Sequence, residues 1–97
     1  PAYFYYLLES MEKTAISHGL NKSFSKQILK ETYIGTAKMI SNIEKNFNVL
    51  RKDVTSKGGT TEAAIKCLKK NNFQKLIYNS IKDSIKKAKT LSSKKVR

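Results

Sequence analysis

A chain of 97 residues with a formal charge of +13 accommodates one domain, and a domain of that size buries too little surface to be lavishly stable without a partner. Its single cysteine, Cys67, excludes an internal disulfide, and with one histidine, His18, it excludes a zinc site; a reducing, cytoplasmic setting fits. No apolar run is long enough to span a bilayer, and Glu9 and Glu12 interrupt the aromatic start where a signal peptide would need an apolar stretch.

Apolar residues at Phe4, Leu7, Leu8, Met11, Ala15 and Ile16 repeat close to the helical period and predict a first helix from Ala2 to His18, stopped by Gly19. His18, beside that glycine, reads as a helix C-terminal cation or cap and not as a base. The cluster Tyr3-Phe4-Tyr5-Tyr6 puts aromatics all the way round the first turn, and something is expected to cover it, a second subunit or a neighbouring domain, unless it is simply the crowded start of a core. Asn21 or Ser23 caps a second helix running to about Lys45, with Phe24, Ile28, Ala37 and Ile43 on its apolar face. Gly35 in its middle costs on the order of 1 kcal/mol relative to alanine, which a close helix crossing would justify. Met39 is expected in the core.

A short helix over 46–52, with Phe47 and Leu50 facing in, leads into Asp53-Val-Thr-Ser-Lys-Gly-Gly-Thr-Thr61. Nine residues here hold adjacent glycines, four hydroxyls and a helix start. Thr60 or Thr61 is the expected N-cap of a fourth helix running from Thr61 to Lys70, with Glu62 in the first turn where the helix dipole favours a carboxylate. A Gly-Gly turn feeding a helix start leaves outward backbone amides that suit a carboxylate or a small phosphate. The same letters also describe an ordinary capped helix connection, and they are not a nucleotide phosphate loop, for no Lys-Ser/Thr pair follows the second glycine. Ala64, Ile65 and Leu68 form the next inner stripe, and Cys67 reads as a small buried apolar residue. Asn71-Asn72 breaks the helix, and Phe73, Leu76, Ile77, Ile81, Ile85, Ala88 and Leu91 define a long final helix with a lysine-rich opposite face and a tail frayed from Ser92 onward. No repeat and no strand pattern occurs. The expectation is an all-α bundle of about five helices, two or three of them long, in a single domain over 1–97. A hydrophobic content of 39% is enough for its core.

The charge raises a nucleic-acid reading. Against it, only Arg51 and Arg97 are arginine, whereas base and phosphate recognition favours the guanidinium fork. Solvated lysine faces account for the balance, with nonspecific polyanion binding as a by-product and no specific nucleic acid as partner.

Three motifs, Pro1-Ala-Tyr3, Gly35-Thr-Ala-Lys-Met39 and above all Asp53–Thr61, followed by Asn72-Phe73, make the chain resemble the C-terminal domain of pyrroline-5-carboxylate reductase over essentially its whole length. The resemblance departs at Lys57, where that family usually has proline. It implies an oxidoreductase that reduces 1-pyrroline-5-carboxylate to L-proline with NADPH or NADH in proline biosynthesis. It also implies a homodimer with interleaved helices, sometimes assembled into rings, and a cofactor bound mainly by an N-terminal dinucleotide-binding domain. Such a domain is absent from this chain, which has no Gly-x-Gly-x-x-Gly motif. The chain is therefore expected to be inactive alone, as one half of a truncated enzyme. By position, the resemblance implies that Ser56, Gly58, Gly59, Thr60 and Thr61 bind the substrate carboxylate and that the Thr61 hydroxyl serves the imine nitrogen. Pro1 and Val54 would lie near the nicotinamide, Glu44 would support the loop, and no metal is implied. The alternatives are a basic all-α nucleic-acid-binding module and a purely structural oligomerisation domain.

Overall fold

The structure, a computed structural model, describes the backbone of residues 1–96 and the side chains of residues 1–93. Five helices follow in order: α1 (Ala2–Ser17), α2 (Lys22–Asn42), α3 (Phe47–Asp53), α4 (Thr60–Lys70) and α5 (Phe73–Val96). No strand occurs among the described residues, so the class is all-α. The residues fall into two compact units, Pro1–Asn46 and the residues from Phe47 on.

In the first unit α1 packs on α2. The α1 end is built by its last polar residues. The His18 backbone N–H donates to Thr14 O and Ala15 O at 3.1 and 3.2 Å, and His18 Nδ1 lies 2.9 Å from Thr14 O. His18 is thus the cap that its position suggested, and Gly19 turns the chain at φ +94°. Of the two cap candidates for α2, Asn21 is the one used: its Oδ1 accepts from the Phe24 N–H at 3.1 Å, satisfying one of the amides that a helix start leaves over. The helix ends at Asn42 and not near Lys45, because Ile43 leaves it in extended backbone at φ −124° and ψ 118°. The Phe4 and Tyr33 rings meet at 6.0 Å between centroids, within the usual range for aromatic pairs.

In the second unit α4 packs on α5. Asn72, at φ 59°, is the non-glycine residue that absorbs the sharp turn between them, a conformation asparagine tolerates better than most. The helix α5 runs through Ser92 and Ser93 to Val96, so the tail expected to fray from Ser92 is helical over the described residues. Arg97 lies outside them.

The expected core is missing. Among the described residues no apolar side chain is buried, and the single buried residue is Ser25, 2% exposed. Phe47, expected to face in, is 73% exposed; Leu50 is half-buried. Met39 and Cys67, both expected inside, are exposed. A Cβ built on Gly35 would meet nothing within 4 Å, so no close helix crossing within its unit accounts for that glycine. Within each unit the reason is the same: one helix pair packs, α1 on α2 and α4 on α5, and a single partner helix covers only part of an apolar stripe. The aromatic first turn is uncovered in the same way, from Tyr3 through Tyr6.

Candidate functional site

The segment from Asp53 to Thr61 links α3 to α4 within the second unit. Its first half is tied to the end of α3: the Val54 N–H donates to Arg51 O at 3.3 Å and the Thr55 N–H to Lys52 O at 3.1 Å, while the Thr55 hydroxyl donates to Arg51 O. Its second half is a four-residue turn closed by the Gly59 N–H donating to Ser56 O at 3.0 Å. Gly58 sits third in that turn at φ +75°, the position and hand that call for glycine, and Lys57 sits second, where proline is the favoured residue of such turns. Lysine there leaves the turn's hydrogen bond in place. Gly59 fits for a different reason: a Cβ on it would stand 3.2 Å from Ser56 O, a tight contact that the turn would have to relieve by a small shift.

The helix start differs from the expectation. Gly59, at φ −88° and ψ 179°, is the N-cap, and no side chain caps the helix in its place; Thr60 is already the first helical residue. Thr60 and Thr61 are therefore not caps. The reason is Glu62, whose carboxylate reaches back across the turn so that Oε1 accepts the Gly58 N–H at 3.1 Å and takes Lys66 Nζ at 3.4 Å. This role of Glu62 goes beyond the favourable dipole position read from the sequence: a glutamate third in the helix, paired with a lysine four residues on, reaches back to the amide just before the N-cap.

Two of the loop amides are thus already engaged, Gly58 with Glu62 and Gly59 with Ser56. The Ala63 N–H bonds back to Gly59 O at 3.3 Å. Between them, the amides of Thr60, Thr61 and Glu62 meet no acceptor among the described residues. Both threonines are exposed. Three parallel donors at the positive end of a helix dipole, flanked by two hydroxyls, form a place where one carboxylate would find several hydrogen bonds at once. Ser56 is exposed beside the turn, and Val54, 70% exposed, offers the loop's apolar surface. Pro1 and Glu44 belong to the first unit: the Pro1 carbonyl caps the first turn of α1, accepting from Phe4 and Tyr5 at 3.1 Å each, and Glu44 lies in the link after Ile43.

The Gly58 bond, with help from Lys66 and against a smaller desolvation effect, holds the Glu62 carboxyl below its ordinary value of 4.5. A lowered value means that the turn gains from Glu62 fully above the ordinary carboxyl range and loses that gain as pH falls through the lowered value. We expect the Gly58 amide resonance to shift in a single step below pH 4.5 and the Glu62→Gln variant to lack that step. A step retained in the variant would assign the titration to another group. No cluster of His, Cys, Asp and Glu able to hold a metal exists among the described residues, and no helix is long and apolar enough to cross a membrane. A groove between α1 and α2, walled by Tyr5, Leu8, Leu29 and Tyr33, contains none of the motif residues.

Comparison with known proteins bears on the whole chain. Residues 1–91 match the model of the family described as pyrroline-5-carboxylate reductase dimerisation. A relative in Bacillus spizizenii, pyrroline-5-carboxylate reductase 1, is 42% identical over 92 residues, covering 95% of this chain and 31% of that protein. The solved structure of a pyrroline-5-carboxylate reductase from Coxiella burnetii superposes with a TM-score of 0.87 at 35% identity, over 94% of this chain and 34% of that one. The Plasmodium falciparum pyrroline carboxylate reductase, solved with NADP bound, superposes with a TM-score of 0.80 at 28% identity, over 84% of this chain and 31% of that one. The chain spans about a third of the length of these relatives. With the five helices, the Gly-Gly turn and the match over residues 1–91 all in agreement, the chain belongs to the pyrroline-5-carboxylate reductase dimerisation family.

Proposed function

We propose that this chain is the substrate-binding and dimerisation part of an oxidoreductase that converts 1-pyrroline-5-carboxylate to L-proline in the cytoplasm. The observation that carries the proposal is the set of three unengaged amides of Thr60, Thr61 and Glu62 at the head of α4, set beside exposed threonine hydroxyls. Those amides, with the Ser56 hydroxyl, take the substrate carboxylate. Gly58 and Gly59 contribute by shape, since their own N–H groups hold the turn. The Thr61 hydroxyl bonds the imine nitrogen, orients the ring and helps a proton reach that nitrogen. Val54 lines the approach to the nicotinamide. NADPH or NADH supplies the hydride to the imine carbon. The chain's own residues fit a carboxylate cradle and not a pyrophosphate cradle, because no strand-to-helix turn occurs among the described residues. A dinucleotide-binding domain outside this segment holds the cofactor, and positioning is the catalytic contribution made here.

The uncovered apolar stripes support a homodimer with interleaved helices, which rings of dimers would extend. The test is a fusion of this chain, joined at Pro1, behind the residues that precede the matched segment in the Bacillus spizizenii reductase. The fusion is expected to oxidise NADPH when given pyrroline-5-carboxylate, and the chain alone is expected to be silent. A folded, dimeric fusion without activity would overturn the proposal.

A further inference from the structure

The turn before α4 has little to fix its shape. Its last three residues are a lysine and two glycines, Lys57-Gly58-Gly59, and none of them restrains its own backbone as proline would. Burial does not hold it either: Ser56, Lys57 and Gly58 are exposed, and Val54, the large apolar side chain of the segment, is 70% exposed. Among the described residues two hydrogen bonds hold the turn. One is internal, from the Gly59 N–H to Ser56 O at 3.0 Å. The other runs from the Gly58 N–H to Glu62 Oε1 at 3.1 Å and ties the turn to the first turn of α4. Ser56 stands on one side of that tie and the open amides of Thr60, Thr61 and Glu62 on the other. The Glu62 side chain is only 29% exposed, and Lys66 Nζ stands 3.4 Å from the same oxygen. That ion pair is a weak support, since the Lys66 side chain is 74% exposed.

We propose that Glu62 is a positioning residue for the carboxylate cradle: its side chain acts through the Gly58 amide, not on the substrate, and keeps Ser56 and the three open amides arranged to take one carboxylate together. The inference rests on the reading of the loop given above and adds the side chain that holds the loop in its binding shape. A cradle in that shape only part of the time binds more weakly in proportion. The loss falls on binding and not on chemistry, because Thr61, whose hydroxyl serves the imine, lies in α4 and not in the turn. The negative charge itself is no help there, since it repels a ligand carboxylate. What the position needs is an oxygen that accepts the Gly58 N–H.

The experiment has two readouts. In the full chain, Glu62→Ala is expected to speed amide hydrogen exchange at Gly58 and Gly59 by roughly three- to tenfold, the worth of one such hydrogen bond, with exchange at Ile81 in α5 unchanged. In the fusion enzyme the same variant is expected to raise KM for pyrroline-5-carboxylate by a similar factor while kcat stays within about twofold. Glu62→Gln keeps an accepting oxygen and should recover most of the loss. So should Lys57→Pro added to Glu62→Ala: proline suits the second position of the turn, and the Lys57 N–H donates to no carbonyl among the described residues. Unaltered exchange at Gly59 in Glu62→Ala overturns the proposal whatever the fusion does. So does a fall in kcat with KM unmoved, or a Lys57→Pro substitution that restores nothing. An active fusion whose KM ignores Glu62→Ala overturns the inference alone, whereas an unaltered fusion that is folded, dimeric and inactive overturns the reading of the loop beneath it.

Discussion

Replacing Ile81 and Ile85 together by aspartate should turn a dimer into monomers. Both side chains lie on the apolar stripe of α5 and keep 41% and 51% of their surface exposed in the single chain, so the helix survives the substitutions with only part of each side chain's burial at stake. In the proposed dimer the same positions are covered, and a carboxylate buried there without a partner costs several kcal/mol. Two of them raise the dissociation constant by at least about a thousandfold, as each 1.4 kcal/mol is a factor of ten. Light scattering should therefore report about twice the 11.0 kDa chain mass for the unaltered chain and the single mass for the double variant. Asn79→Asp, which adds a charge on another side of α5, should leave the dimer intact. A double variant that remains dimeric at the same concentration would place the interface on other helices.

The second large effect belongs to Thr61. In the fusion enzyme, Thr61→Ala should lower kcat/KM by roughly ten- to a hundredfold, the range for losing one hydrogen bond to a group that carries charge in the transition state. Because Thr61 is exposed and sits second in α4, where alanine is well tolerated, the helix and the dimer should survive. Thr61→Ser keeps the hydroxyl and should recover most of the loss. Unchanged kinetics in Thr61→Ala would remove this hydroxyl from the reaction and leave the amides alone as the site.

The helices were legible because their punctuation is chemical. Asn21, Gly19 and Asn71-Asn72 mark turns through cap bonds and left-handed backbone, and each does so in the structure. The end of α2 was less legible: nothing among Ile43, Glu44 and Lys45 forbids helix, and only the extended backbone of Ile43 reveals the stop. The N-cap of α4 was misplaced because two threonines advertise a cap, while the group that reaches back is a glutamate three residues into the helix. The absent core is a different kind of miss. Periodicity says that one side of a helix is apolar, and it is silent on whether the chain itself or another copy covers that side. Phe47, Met39 and Cys67 keep helical spacing and are nevertheless exposed. In the loop, Gly58 and Gly59 were identifiable from their letters, but which amides they leave open depended on where Glu62 and Ser56 place their oxygens.

The most direct test is a crystal structure of the fusion enzyme with L-proline, read at the head of α4. The carboxylate oxygens are expected within about 3.2 Å of the amide nitrogens of Thr60, Thr61 and Glu62, with the ring nitrogen turned toward the Thr61 hydroxyl and the Gly58 amide still on Glu62. Proline seated elsewhere, or those three amides bonded to the protein's own carbonyls with proline bound, would contradict it.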